Sequence, residues 1–125
     1  MTGAELENLC ISIQGRWNRI RISKNVVRVL GSPDYVCLRV NENLTSFAIM
    51  PCDSKDLMSF RVPPGLSGYT KKDFNIYSKA FVESILNANG FSIERTYRLY
   101  GKYSDEKNAV IFRMLTGTVQ INDRL

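Results

Sequence analysis

The sequence predicts an α+β domain, mostly antiparallel β with two short helices, and three observations predict it. Apolar and polar residues alternate in "LCISIQ", "RIRI", "DYVCLRV" and "SFAIMP", the period of a strand with one buried face. Two stretches, "KNVVRVL" and "KAFVESIL", each follow a serine and carry apolar residues at helical spacing. The order strand, serine, helix, hairpin then occurs twice, a two-fold internal repeat.

From the N-terminal side, Leu9, Ile11 and Ile13 share one face of the first strand, and Cys10, Ser12 and Gln14 the other. Gly15 to Asn18 turns the chain. In "RIRI", Ile20 and Ile22 point inward and Arg19 and Arg21 outward. Ser23 is placed to cap the helix over "KNVVRVL", because a serine hydroxyl accepts from a free N–H of the first turn. Gly31 can close that helix in the left-handed conformation, and Pro33 blocks its continuation. "DYVCLRV" puts Val36, Leu38 and Val40 on one face. "NENLTS" is a polar turn in which Asn41 and Asn43 suit unusual backbone angles, and "SFAIMP" returns as a strand.

Residues 53–69 form a connector with "PPG" and "SG" and one short strand at "MSFRV". Beyond it two readings compete. Thr70 with Asp73 resembles a capping box that would start a helix; alternatively "DFNIY" is a strand and Ser78 caps a helix running to about Ala88, ended by Asn89 and Gly90. The repeat favours the strand, since Ser23-Lys24 then matches Ser78-Lys79, Val27 matches Val82 and Leu30 matches Ile85. "TYRLYGKY" and "AVIFRML" follow as two strands around "SDEKN", Val40 matches Tyr103, and "TVQIN" adds an edge strand. The expected organisation is a single compact domain, with half one at about 8–52 and half two at about 70–121. Neither half is large enough to bury a core alone.

The chain has 125 residues, 44% of them hydrophobic and 23% charged, a globular composition. No apolar run reaches the length of a membrane helix. The opening "MTGAELENLCISIQG" is acidic before it is apolar, unlike a signal peptide, which predicts a cytoplasmic protein with no membrane partner. Cys10, Cys37 and Cys52 are odd in number and lack CxxC spacing, arguing against a disulfide framework. There is no histidine, so triads and His-based metal sites are excluded; no metal and no cofactor is expected.

The net charge is +5, from 17 basic and 12 acidic residues. Arg16, Arg19, Arg21, Lys24 and Arg28 account for the whole excess, because no acid lies between Glu7 and Asp34. Such concentration favours a local anion-binding surface over general solubility, although a solvated strand face has the same composition. Trp17 beside the arginines is suited either to stacking or to core filling. A second basic-aromatic cluster holds Arg95, Arg98, Tyr100 and Lys102 with Tyr97 and Tyr103, a composition that suits nucleotides or single strands and also an ordinary exposed hairpin. No catalytic residue is expected: Glu42, Asp53, Asp56, Asp105 and Glu106 sit in turns and the connector, and Gly65 and Gly68 have no following lysine motif.

The stretch "RIRISKNVVRVLGSPDYVCLRVNENLTSFAIMP" resembles the AbrB/SpoVT/MraZ group of swapped-hairpin DNA-binding proteins. Their basic strand, "I-P-K-x-x-R-x-x-L-G" helix and hairpin are echoed by Ile22, Lys24, Leu30, Gly31 and the strands at Tyr35–Val40 and Phe47–Met50. Ser23 stands where the group usually has proline, and Val27 or Arg28 must serve for the helix arginine. The second half is similar only loosely. The texture also resembles small proteins of Gram-positive bacteria and of their mobile elements, a likeness that carries no chemistry. The swapped-hairpin resemblance implies a barrel of two intertwined halves and a DNA-binding transcription regulator whose Arg16, Arg19, Arg21, Lys24 and Arg28 face duplex DNA. The alternative expectation is a phage or mobile-element inhibitor that binds a host defence protein, or sequesters an anionic nucleotide messenger, with the same arginines. A monomer with pseudo-two-fold symmetry and a homodimer are both compatible.

Overall fold

A computed structural model describes residues 9–63, 74–115 and 119–122. Among the described residues, ten strands form two five-stranded antiparallel sheets, accompanied by two α-helices. The strands are β1 (Cys10–Gln14), β2 (Arg19–Ile22), β3 (Tyr35–Val40), β4 (Ser46–Pro51) and β5 (Ser59–Arg61), then β6 (Phe74–Tyr77), β7 (Thr96–Tyr100), β8 (Lys102–Ser104), β9 (Ala109–Arg113) and β10 (Val119–Asn122). The helices are α1 (Lys24–Val29) and α2 (Lys79–Ala88). The first sheet runs β10-β7-β1-β2-β6 and the second β5-β3-β4-β9-β8. This is the expected α+β class, mostly antiparallel β with two helices, and neither sheet closes on itself among the described residues.

Alternation decides what each strand buries. Ile11 and Ile13 of β1, Ile20 and Ile22 of β2, and Phe74 and Ile76 of β6 are all at most 4% exposed. Each such side chain contributes about 1.5–3 kcal/mol by leaving water. Val36 and Leu38 of β3, Phe47 and Ile49 of β4 and Val110 and Phe112 of β9 do the same for the second sheet. A single buried cluster joins these inner faces to Val26 and Val27 of α1 and to Phe81, Val82, Ile85 and Leu86 of α2. Phe47 ties the layers together, lying 5.2 Å edge-on to Phe81 and stacked 5.3 Å from Phe112.

The helix ends follow the sequence reading closely, with one difference. Ser78 caps α2 as expected, its hydroxyl accepting from the N–H of Phe81. Ser23 occupies the corresponding position on α1 but makes no side-chain capping bond; its own N–H donates to the Cys10 carbonyl, holding α1 against β1. Gly31 is left-handed, with φ +87. The Gly31 N–H donates to the Arg28 carbonyl and that of Ser32 to Val27, which closes α1 as a Schellman motif. Gly90, at φ +74, follows the C-cap Asn89 of α2.

Two segments differ from expectation. In "NENLTS" the left-handed residue is Leu44, at φ +57, and neither Asn41 nor Asn43. Asn41 works through its side chain instead: its carbonyl oxygen accepts from the N–H groups of Thr45 and Ser46. "TYRLYGKY" is not one strand. It breaks at Gly101, so that β7 belongs to the first sheet and β8 to the second. A Cβ at Gly101 would lie 2.7 Å from side-chain atoms of Phe112 and Val110, and its N–H donates to the Leu9 carbonyl at 2.7 Å; only glycine lets the chain pass that close while changing sheets. The connector supplies the short strand expected at "MSFRV", β5, paired with β3 at the edge of the second sheet. The capping-box residues Thr70 and Asp73, and Gly65 and Gly68, lie outside the described residues.

Candidate nucleic-acid interface

The outer face of the first sheet brings together part of each basic cluster of the sequence: Arg19 and Arg21 from the first, Arg98 and Tyr100 from the second. In β1 and β2, Ser12 is directly opposite Arg21, and across β1 and β7 the same Ser12 is opposite Arg98. The row continues to Gln120 on β10 and Asn75 on β6. Neighbouring strands lie about 4.8 Å apart, so the backbones of Arg21 and Arg98 are about 10 Å apart across the small Ser12. The next row sets Gln14 between Arg19 and Thr96, with Tyr77 opposite Arg19 on the far side. Arg21, Arg98, Tyr77 and Tyr100 are exposed, and no strand of this sheet contains an acidic residue. Two like charges about 10 Å apart repel by about 0.4 kcal/mol in water, a cost that an anion bridging them turns into attraction.

Local structure orients these side chains. Gly15–Trp17 form one turn of 3-10 helix, and Asn18 takes the left-handed φ of 50 that returns the chain into β2. Trp17 is 47% exposed, so it does not fill the core, and the Arg19 guanidinium stands 5.5 Å from its ring centroid in a cation–π contact. The Nε–H of Arg19 also donates to the side-chain carbonyl of Gln14. These contacts fix the Arg19 guanidinium between Gln14 and Trp17 while leaving the indole exposed.

A close backbone approach explains why the two clusters meet. The N–H of Gly15 donates to the Arg95 carbonyl, and a Cβ on Gly15 would lie 2.1 Å from the Ile93 carbonyl oxygen. Beside it, Arg16 Nε donates to the Glu94 carbonyl at 3.1 Å and lies 3.6 Å from the Glu94 carboxylate. Both partners of this pair are substantially exposed, so its own contribution to stability is small. Its consequence is positional: the first cluster is stitched to the start of β7, which carries the second.

The remaining sequence candidates separate from the ladder. Lys24 and Arg28 are half-buried on α1, beyond the end of β2. Lys102 lies on β8, in the second sheet. Tyr97 is 1% exposed, donating its hydroxyl to the Ser92 carbonyl, and Tyr103 is half-buried with its hydroxyl donating to Asn108. Gln14, Asn75, Tyr77 and Gln120 join the face without having been singled out. The alternation in "FNIY" points Asn75 and Tyr77 outward, but only the pairing of β6 with β2 brings them beside the arginines.

Among the described residues no group of His, Cys, Asp and Glu side chains is arranged to hold a metal ion. Glu42, Asp53, Asp105 and Glu106 are exposed in turns, and Asp56 accepts from the N–H of Asp53. No described helix is long and apolar enough to cross a membrane. Comparison of the chain with protein-family models, with curated proteins and with solved structures found no match.

Proposed function

We propose that this protein binds nucleic acid without catalysing a reaction, as a small DNA-binding transcription regulator of the swapped-hairpin kind in a bacterium or its mobile element. The observation that carries the reading is the ladder of Arg19, Arg21 and Arg98 on one acid-free sheet face. Arginines spaced along a flat face neutralise phosphates, and release of the condensed counterions supplies most of the affinity. Trp17, Tyr77 and Tyr100 beside them offer exposed rings to bases. Those rings also favour the second reading, sequestration of an anionic nucleotide by the same face. The swapped-hairpin part rests on the duplicated layout. In both halves a strand and serine precede a helix, and the hairpins share one register, Arg39↔Ala48 and Val40↔Phe47 in the first, Lys102↔Ile111 and Tyr103↔Val110 in the second. The halves pair with each other through β2 with β6 and β4 with β9, as a pseudo-two-fold arrangement requires.

Fluorescence anisotropy with labelled random duplex across a salt series tests this. Binding is expected to weaken steeply with salt, and Arg19→Ala combined with Arg21→Ala should lower the log–log salt slope by about two. Absence of binding at low salt overturns the DNA reading. A thermal shift with mononucleotides, lost in the same double variant, would then support sequestration.

A further inference from the structure

We propose that the outer face of the second sheet is a docking surface for an acidic, amphipathic peptide segment of a partner protein. This surface lies on the second sheet, meets the first where Tyr100 of β7 lines its smaller cleft, and does not rest on the arginine ladder. Its centre is a single row across four strands: Arg39 on β3, Ala48 on β4, Ile111 on β9 and Lys102 on β8. The row is basic at both ends and aliphatic in the middle. Met50 and Arg113 extend it in the strand direction, and two adjoining clefts of about 430 and 200 Å³ share Ile111 and Arg113. No acidic residue lines either cleft. At the ends of the clefts Val40 is 47% and Leu115 55% exposed, so aliphatic surface stands open to water in continuity with the floor.

The floor selects the occupant. Ala48, Ile111 and Met50 themselves offer neither a ring nor a donor; the exposed ring of Tyr100 lines the smaller cleft beside Lys102, off this floor, and a phosphate against the aliphatic floor would lose water without gaining a hydrogen bond from it. Aliphatic or aromatic side chains of a peptide would bury this floor favourably. Three strand spacings separate Arg39 from Lys102, about 14 Å, so carboxylates on either side of an apolar pair or triplet would reach both cations. Such pairing fixes the orientation of the segment and speeds its encounter.

Selection from a displayed random-peptide library against the full chain tests the proposal. Enriched peptides are expected to carry Asp or Glu on both sides of an apolar core. By anisotropy, their affinity should fall about tenfold or more in Arg39→Glu combined with Lys102→Glu, exposed sites whose exchange spares the core, and similarly in Ile111→Asp. Arg19→Ala combined with Arg21→Ala should leave peptide binding unchanged. Circular dichroism and thermal melting verify that each variant is folded. Enrichment of no common pattern, peptide binding indifferent to Arg39→Glu with Lys102→Glu, or displacement of the peptides by single-stranded DNA in a manner sensitive to those two residues, would each overturn it.

Discussion

The outer faces of the two sheets carry the same sign of charge over different floors. Neither sheet has an acidic residue in any strand. On the first, Arg19, Arg21 and Arg98 are separated by Ser12 and Gln14 and flanked by aromatic rings. On the second, Arg39 and Lys102 are separated by Ala48 and Ile111. Charge alone would assign both faces to one polyanion. What lies between the charges distinguishes them, because polar and aromatic groups tolerate a hydrated phosphate and a stacked base, whereas an aliphatic floor gains only from apolar contact.

The sharpest way to break this difference is at Gly15. Gly15→Ala drives a methyl group into the Ile93 carbonyl and should cost about 3 kcal/mol of stability, read as a lowered midpoint in urea unfolding. Because this contact sets Arg16 beside Glu94 at the start of β7, nucleic-acid binding should weaken in the remaining folded protein more than peptide binding does. A midpoint equal to that of the unaltered protein would show the approach to be dispensable. Next in size, Arg98→Ala should weaken duplex binding about tenfold at low salt and leave the second face untouched. Equal binding by titration would mean that the two clusters, though adjacent, do not act together.

Ser78→Ala should cost about 1 kcal/mol through loss of the bond to the Phe81 N–H. It alters neither outer face, so both binding activities should survive below the melting temperature; loss of either would tie that face to the ordering of α2. The effect that vanishes at neutral pH concerns Cys52, just past β4. Burial, then a hydrogen bond with Cys37, then the charge of Asp56, push its thiol up from 9.0 to about 12. The folded chain therefore keeps this proton where the unfolded chain loses it. Its effect on stability is nil below about pH 9 and grows unfavourable as pH rises from there toward about 12. A series of melting temperatures across that range should fall less steeply for Cys52→Ser than for the unaltered chain; parallel curves would refute the assignment.

Much of the fold is legible locally. The isoleucines of "CISIQ" and "RIRI" give β1 and β2 with the observed inward faces, and Ser78 with the apolar spacing of "KAFVESIL" gives α2. Where expectation missed, hydrogen bonds and packing that the apolar period does not encode decided the matter. Ser23 has the identity of a cap, yet its backbone is engaged with Cys10. Gly101 interrupts an otherwise continuous strand pattern because Phe112 and Val110 occupy the space beside it. Asn41 spends its side chain on the turn, so the left-handed conformation passes to Leu44.

The candidate site divides along the same line. By itself the sequence determined that Arg19 and Arg21 alternate outward from two isoleucines, that the charge excess sits in the opening stretch, and that no histidine chemistry is available. These depend only on composition and on the two-residue period of a strand. Only the tertiary structure decided that Arg98 lies in one row with Arg21 across Ser12, and that Lys102, four residues further on, belongs to the second sheet. Strand pairing order is set by which apolar faces can share a core, and glycine at position 101 lets one chain segment serve two sheets; neither is written in the spacing of the charges.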